Sequence, residues 1–131
     1  MADRLFIDSD DRRKYEEIKK VIDFLSDKDT KDLFIFAMLN GFKNNQRKQL
    51  NRREGFVRTE YLHDQDLAII KSIAISYESF DILTDLDNVF KIAEELAHAG
   101  IDLLYLEINS QSLGSYEKRF EHEVISKCVN T

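Results

Sequence analysis

Apolar residues recur along this chain at helical spacing in several stretches and at strand spacing in at most two. Tyr15, Ile18, Val21 with Ile22, and Leu25 fall three or four apart, with Arg12, Lys14, Glu16, Lys19 and Lys20 between them, which predicts an amphipathic helix over about Asp10 to Leu25. Weak alternation around Leu5 and Ile7 permits a short strand from Arg4 to Asp8, ahead of the capping signal Ser9-Asp10-Asp11. Asp27 to Thr30 reads as a polar turn in which Thr30 or Asp29 can accept from the free N–H groups of the next helix. That helix, Lys31 to Phe42, is apolar nearly all round and is expected at the centre, with Asn40-Gly41 as its break.

The second half continues the helical pattern. Phe56 to Leu62 can be a strand or an extended segment. Asp64 and Asp66 then cap a helix whose stripe is Leu67, Ile70, Ile73, Ala74 and Tyr77, and Thr84-Asp85 opens another with Val89, Phe90, Ala93, Leu96 and Ala97 facing inward. Gly100 could stop that helix and Ile101 to Ile108 could be a strand. Continuation through the glycine is favoured, because Glu94, Glu95, Asp102 and Glu107 would keep an exposed acidic face. Ser110 to Ser115 reads as a turn, followed by a short helix marked by Tyr116, Phe120, Val124 and Cys128. The expected fold is mainly α: a compact bundle of four to five helices with room for one or two short strands. It forms one domain over residues 1–131, with a basic loop at 43–58 and a peripheral segment at 110–131.

Composition supports that picture. No proline and only four glycines in 131 residues leave few helix breakers. At 43% apolar, with nine Phe and five Tyr, the chain can build a core without staples. One cysteine excludes an internal disulfide and a Cys-rich zinc site, which suits a cytoplasmic protein. No apolar run reaches the roughly 20 residues that cross a bilayer, and the start lacks a signal-peptide core, so no membrane role is expected.

Catalytic chemistry is hard to find. His63, Asp64 and Asp66, with Glu60 and Lys71 nearby, could suggest a Mg²⁺ site, but helix capping explains the two aspartates with less. His98 reads as a partly buried or helix-terminal histidine, His122 as a solvated one, and Cys128 as a small packing residue. There is no phosphate-cradling glycine loop, nucleophile elbow or H-E-x-x-H. The expectation is a protein that is not an enzyme and has no cofactor and no metal.

Charge changes the picture most. The central apolar run passes directly into Lys43 to Arg58, where Lys43, Arg47, Lys48, Arg52, Arg53 and Arg58 face one anion, Glu54. The stretch is +5 in a chain of net −6, leaving −11 on the remainder. Such segregation points to a partner, since polyanions respond to local charge. Arginine forks grip phosphate, and Asn44, Asn45, Gln46, Gln49 and Asn51 add neutral donors. The same loop could instead neutralise acidic faces of its own fold or of a protein partner, or be simply solvated. A further alternative is a ribbon-helix-helix dimer regulating DNA, with Arg4, Phe6 and Asp8 in the major groove, although Phe and Asp read bases poorly.

Thr30 to Phe42 followed by Lys43-Asn44-Asn45-Gln46-Arg47, then Leu67 to Ile70, Phe80 to Leu83 and Ile92 to Leu104, resemble the core of small accessory proteins encoded beside DNA phosphorothioation (Dnd) systems. The similarity spans about Leu5 to Leu106 and is mostly a hydrophobic pattern. Ala99-Gly100 stands where family members tend to carry two glycines. The resemblance implies a role in prokaryotic DNA modification or restriction, with proteins of that system as partners; DNA contact through the basic loop is expected from its charge, and an oligomer stays open. It implies no catalytic residues.

Overall fold

The structure, a computed structural model, describes residues 3–21 and 29–110. Strand β1 (Arg4–Asp8) leads through a 3-10 turn, Ser9–Asp11, into helix α1 (Arg12–Val21). Helix α2 (Thr30–Lys43), strand β2 (Arg53–Arg58), a 3-10 turn at Thr59–Tyr61, helix α3 (Asp64–Tyr77), a 3-10 turn at Phe80–Thr84 and helix α4 (Leu86–Ser110) follow. The described residues are therefore mainly helical, as the spacing of apolar residues predicts. Ile22 and Leu25 of the first expected helix, and the expected helix from Tyr116 to Cys128, lie outside the described residues.

Helices α2 and α4 share the largest interface between elements. Leu33, Phe34, Ala37 and Met38 of α2 and Val89, Ile92, Ala93, Leu96, Ala97 and Leu104 of α4 are buried, and the larger of these side chains, the alanines apart, stabilise by roughly 1.5–3 kcal/mol each when fully buried. The two helices cross at Gly41 and Gly100. A Cβ on Gly100 would lie 1.9 Å from the Ala37 carbonyl oxygen, and one on Gly41 would lie 2.1 Å from that of Leu96. Neither glycine has positive φ. Their role is close backbone approach, and Asn40, buried beside them, donates from Nδ2 to the Gly100 carbonyl at 2.8 Å. The expected break at Asn40-Gly41 is thus corrected, since α2 runs on to Lys43, whereas α4 passes through Gly100 to Ser110 as one helix, as favoured from the sequence.

Capping follows the sequence in part. Asp29 precedes α2 without a side-chain cap bond. At α3 the N-cap is His63, whose N–H donates to the Asp66 carboxylate at 2.8 Å, so Asp66 closes a capping box and Asp64 lies within the first turn. Asp66 also receives Lys31 at 2.7 Å, tying the start of α3 to that of α2.

The second strand forms three residues earlier than Phe56, inside the basic segment, because it pairs antiparallel with β1 and places Val57 opposite Leu5 and Arg53 opposite Asp8. This overturns the ribbon-helix-helix alternative. In that fold β1 would pair across a dimer, whereas here it pairs within the chain and the Phe6 N–H donates to Glu94 Oε2 at 2.8 Å. Asp8, assigned to the groove in that alternative, is buried.

Candidate functional site

The basic segment is an ordered strap laid across α4. It leaves α2 through Asn45, which has φ 56°, a left-handed conformation that asparagine tolerates. The amide of Asn44 donates back to the Asn40 carbonyl at 2.8 Å, and the Gln46 N–H donates to the Gly41 carbonyl at 2.9 Å. Midway, the Lys48 N–H donates to the Glu95 carbonyl of α4 at 3.1 Å. At the far end the buried Asp8 carboxylate accepts the N–H groups of Asn51 at 2.9 Å and Arg52 at 3.3 Å, and that of Asp10 at 3.1 Å. Burial alone would push the pKa of Asp8 up. Those three N–H groups and the charge of His98 outweigh it and hold the carboxyl below its ordinary value.

The strap's cations meet the acidic face of α4. Arg47 donates to Glu95 at 2.7 Å and stacks over the Tyr77 ring at 5.1 Å. Lys48 pairs with Asp102. Arg53 donates to Glu94 at 3.0 Å and covers the Phe6 ring at 4.5 Å. The acidic face expected to be exposed is therefore covered: Glu94 is buried, and Glu95 and Asp102 are half-buried. Burial pushes the Glu94 carboxyl up, against the pull of the Phe6 N–H and Arg53. Arg58 pairs with the exposed Glu60, at 2.6 Å. Arg52 is exposed and ion-pairs with none of the described residues, and Lys43 is half-buried. Of the six predicted cations, Arg47, Lys48 and Arg53 are thus brought to α4, while Arg52 and Arg58 are exposed and form no ion pair with α4 among the described residues.

Beneath the strap lies a compact polar cluster. His98, placed near the middle of α4, bonds through Nδ1 to Asp11 at 2.6 Å, and that bond is the main reason its basicity is raised. Asp11 is fully buried. Lys14 of α1 bonds to Asp11 at 3.4 Å and to Asp102. Burial works against the Asp102 carboxylate, yet Lys14 and Lys48 together hold its pKa below the ordinary value. Tyr15 is buried with its hydroxyl unpartnered among the described residues, and burial, followed by the charges of Asp11 and Asp102, pushes its pKa well up. The sequence marks Asp11 only as part of a helix-opening run, and nothing local brings it to His98, 87 residues away.

Three recesses among the described residues border the strap and α4, one of them, of about 470 Å³, lined by Arg53, Asn88, Lys91 and Glu94. A second, of about 580 Å³, is lined by Thr30, Lys31, Phe56, Arg58, Tyr61 and His63. The third, of about 390 Å³, runs along α4 between Lys14, Lys48, Asp102, Leu103 and Leu106. No described helix is long and apolar enough to cross a membrane.

Comparison with known proteins gives one result. No curated protein and no solved structure matches the chain significantly. The family of DNA sulphur modification system-associated protein 4 matches residues 18–127, which take in α2, the strap, β2, α3 and all of α4. The chain belongs to that family, and its role is accessory to a DNA sulphur modification system.

Proposed function

We propose that this chain is a non-catalytic adaptor that docks onto a protein component of the sulphur modification system through the outer edge of its basic strap, with Arg52, Arg53 and Arg58 as the contacting cations. The observation that carries this reading is the anchoring of the strap. Both of its ends and its middle are fixed by backbone hydrogen bonds, so the exposed cations are presented from a preordered surface, which lowers the entropic cost of docking. Arg47 and Lys48 already face carboxylates of the chain itself, and Arg53 does so on one side while more than half of its side chain stays exposed. The positive charge left for a polyanion is smaller than the sequence suggests, and affinity for duplex DNA scales with the number of phosphates neutralised. That favours an acidic protein surface.

Direct DNA contact is the second reading, supported by Arg52, exposed and without an ion-pair partner among the described residues, and by Arg58 beside the recess at the start of α2. One experiment separates the two. The chain is titrated against a fluorescent duplex, with and without phosphorothioate, across a salt series, and in parallel is used to capture the other proteins of its own system. The adaptor reading predicts weak, salt-sensitive duplex binding and specific capture that Arg52→Ala/Arg53→Ala/Arg58→Ala abolishes. Tight duplex binding lost in the same variant would replace it with the DNA reading.

A further inference from the structure

Asp11, His98 and Asp102 present one ligand atom each, from two elements that are distant in sequence, and these three atoms all lie within 4.8 Å of one another. Two carboxylates and an imidazole form a donor set suited to a first-row divalent cation, and Zn²⁺ takes such donors at about 2.0–2.2 Å. Geometry of this kind is common without a metal, so the weight rests on a second feature. The Tyr15 hydroxyl is buried, has no hydrogen-bond partner among the described residues, and has Asp11 and Asp102 as the charges acting on it. A buried phenol normally finds a partner. A water bound to a cation held by these three residues would supply one.

From these observations we propose that Asp11, His98 and Asp102 form a divalent-cation site of the Zn²⁺ class, with Tyr15 hydrogen-bonded to a metal-bound water. Charge balance makes the exchange feasible. The two carboxylates are neutralised by Lys14 and Lys48, and one divalent ion carries the same charge as the two ammonium groups it displaces, while a protonated His98 gives up its proton to solvent as it ligates. The displaced side chains are long and already line the groove of about 390 Å³ that reaches Asp102, which also gives the ion its way in. His98 ligates as the neutral imidazole, giving up its hydrogen bond to Asp11. The ion would thus tie β1 and α1 to α4 while releasing Lys48 from its anchor. The site stands whatever the strap binds.

The test is titration of the whole chain with ZnCl₂ by calorimetry in a non-coordinating buffer, repeated with Co²⁺ to read its visible absorption bands. Expected are a one-to-one isotherm, Co²⁺ bands diagnostic of nitrogen and oxygen ligands, and at least tenfold weaker binding in Asp102→Asn and in His98→Asn. Tyr15→Phe, which keeps the packed ring, should weaken binding several-fold. Lys14→Met removes a competing ammonium and should bind at least as tightly as the unaltered chain, with Zn²⁺ restoring the thermal stability that the lost ion pair removes. Absence of stoichiometric binding overturns the proposal. So does one-to-one binding unchanged in a folded Asp102→Asn chain, which would place the ion elsewhere. Should His98→Asn fail to fold, Asp102→Asn and Lys14→Met decide the matter.

Discussion

Helix α4 is held on one side by shape and on the other by charge. Against α2 it offers Gly100 and the carbonyl of Leu96, so that backbone meets backbone and no Cβ fits. Against the strap it offers Glu94, Glu95 and Asp102, met by long, partly exposed cations. The first contact has one solution and no slack, because packed interiors relax poorly around added volume. The second is a set of polar contacts, each worth little when exposed and each replaceable. The difference separates two jobs on one helix: α2 fixes the fold, and the strap presents a surface that can be retuned without loss of the core.

The comparison breaks most sharply at the glycines. Alanine is ordinarily the better helix former by about 1 kcal/mol, so Gly100→Ala on a free helix would stabilise. Here the added methyl carbon would lie 1.9 Å from the Ala37 oxygen and 2.6 Å from the Gly41 nitrogen, and α2 must move away. A loss of more than about 3 kcal/mol is expected for Gly100→Ala, and a similar one for Gly41→Ala. Urea denaturation checks it; an unchanged midpoint would show that the helices do not cross as closely as described.

Next in size is Asp8. Truncation in Asp8→Ala leaves the N–H groups of Asp10, Asn51 and Arg52 without their acceptor, at a cost of about 2 to 4 kcal/mol given some solvent rescue at the strap's edge. The strap should then become cleavable by trypsin at Arg52 or Arg53 before the core unfolds. Limited proteolysis followed by mass spectrometry distinguishes this local release from a global one.

How far the sequence foretold this molecule depends on how local each cause is. Helix spacing placed the buried stripes of α3 and α4, since a period of 3.6 is written in neighbouring residues: Ile70, Ile73 and Ala74, then Val89, Phe90, Ala93, Leu96 and Ala97, are all buried. Gly41 looked like a helix stop because a glycine that permits positive φ and one that permits close approach are the same letter. The exposed acidic face was misjudged for a related reason. Glu94, Glu95 and Asp102 have helical spacing and polar identity, but the elements covering them, β1 and the strap, join them across 41 or more residues. The cationic segment itself was evident from charge, and its partial neutralisation was not.

Acid should affect the two sides of α4 differently. Asp8 and Asp66 both have folded-state values below the ordinary one, because hydrogen bonds and, for Asp66, the Lys31 ammonium outweigh the opposing effect of burial. For a depressed carboxyl the stability is present above the unfolded value, about pH 4, and is lost as pH falls through the lower folded value. Amide exchange of Asn51 and Arg52 is expected to accelerate below that point while Ala97 to Ile101 stays protected. Loss of both together would mean that the strap and the helix crossing form a single cooperative unit.

The smallest effect is the most informative about docking. Arg47 is one-third exposed and its partner Glu95 mostly covered, so their ion pair should contribute about 0.5 to 1 kcal/mol, with the stack on Tyr77 adding a comparable amount. A double-mutant cycle on Arg47→Ala and Glu95→Gln isolates the pair from the stack, since Glu95→Gln leaves the guanidinium over the ring. A coupling below about 1 kcal/mol is expected, halved or more in 1 M salt. A coupling of several kcal/mol would mean that the strap is built into the fold as firmly as the glycine crossing. A surface so fixed could not be retuned for a new partner, and the division of labour along α4 would fail.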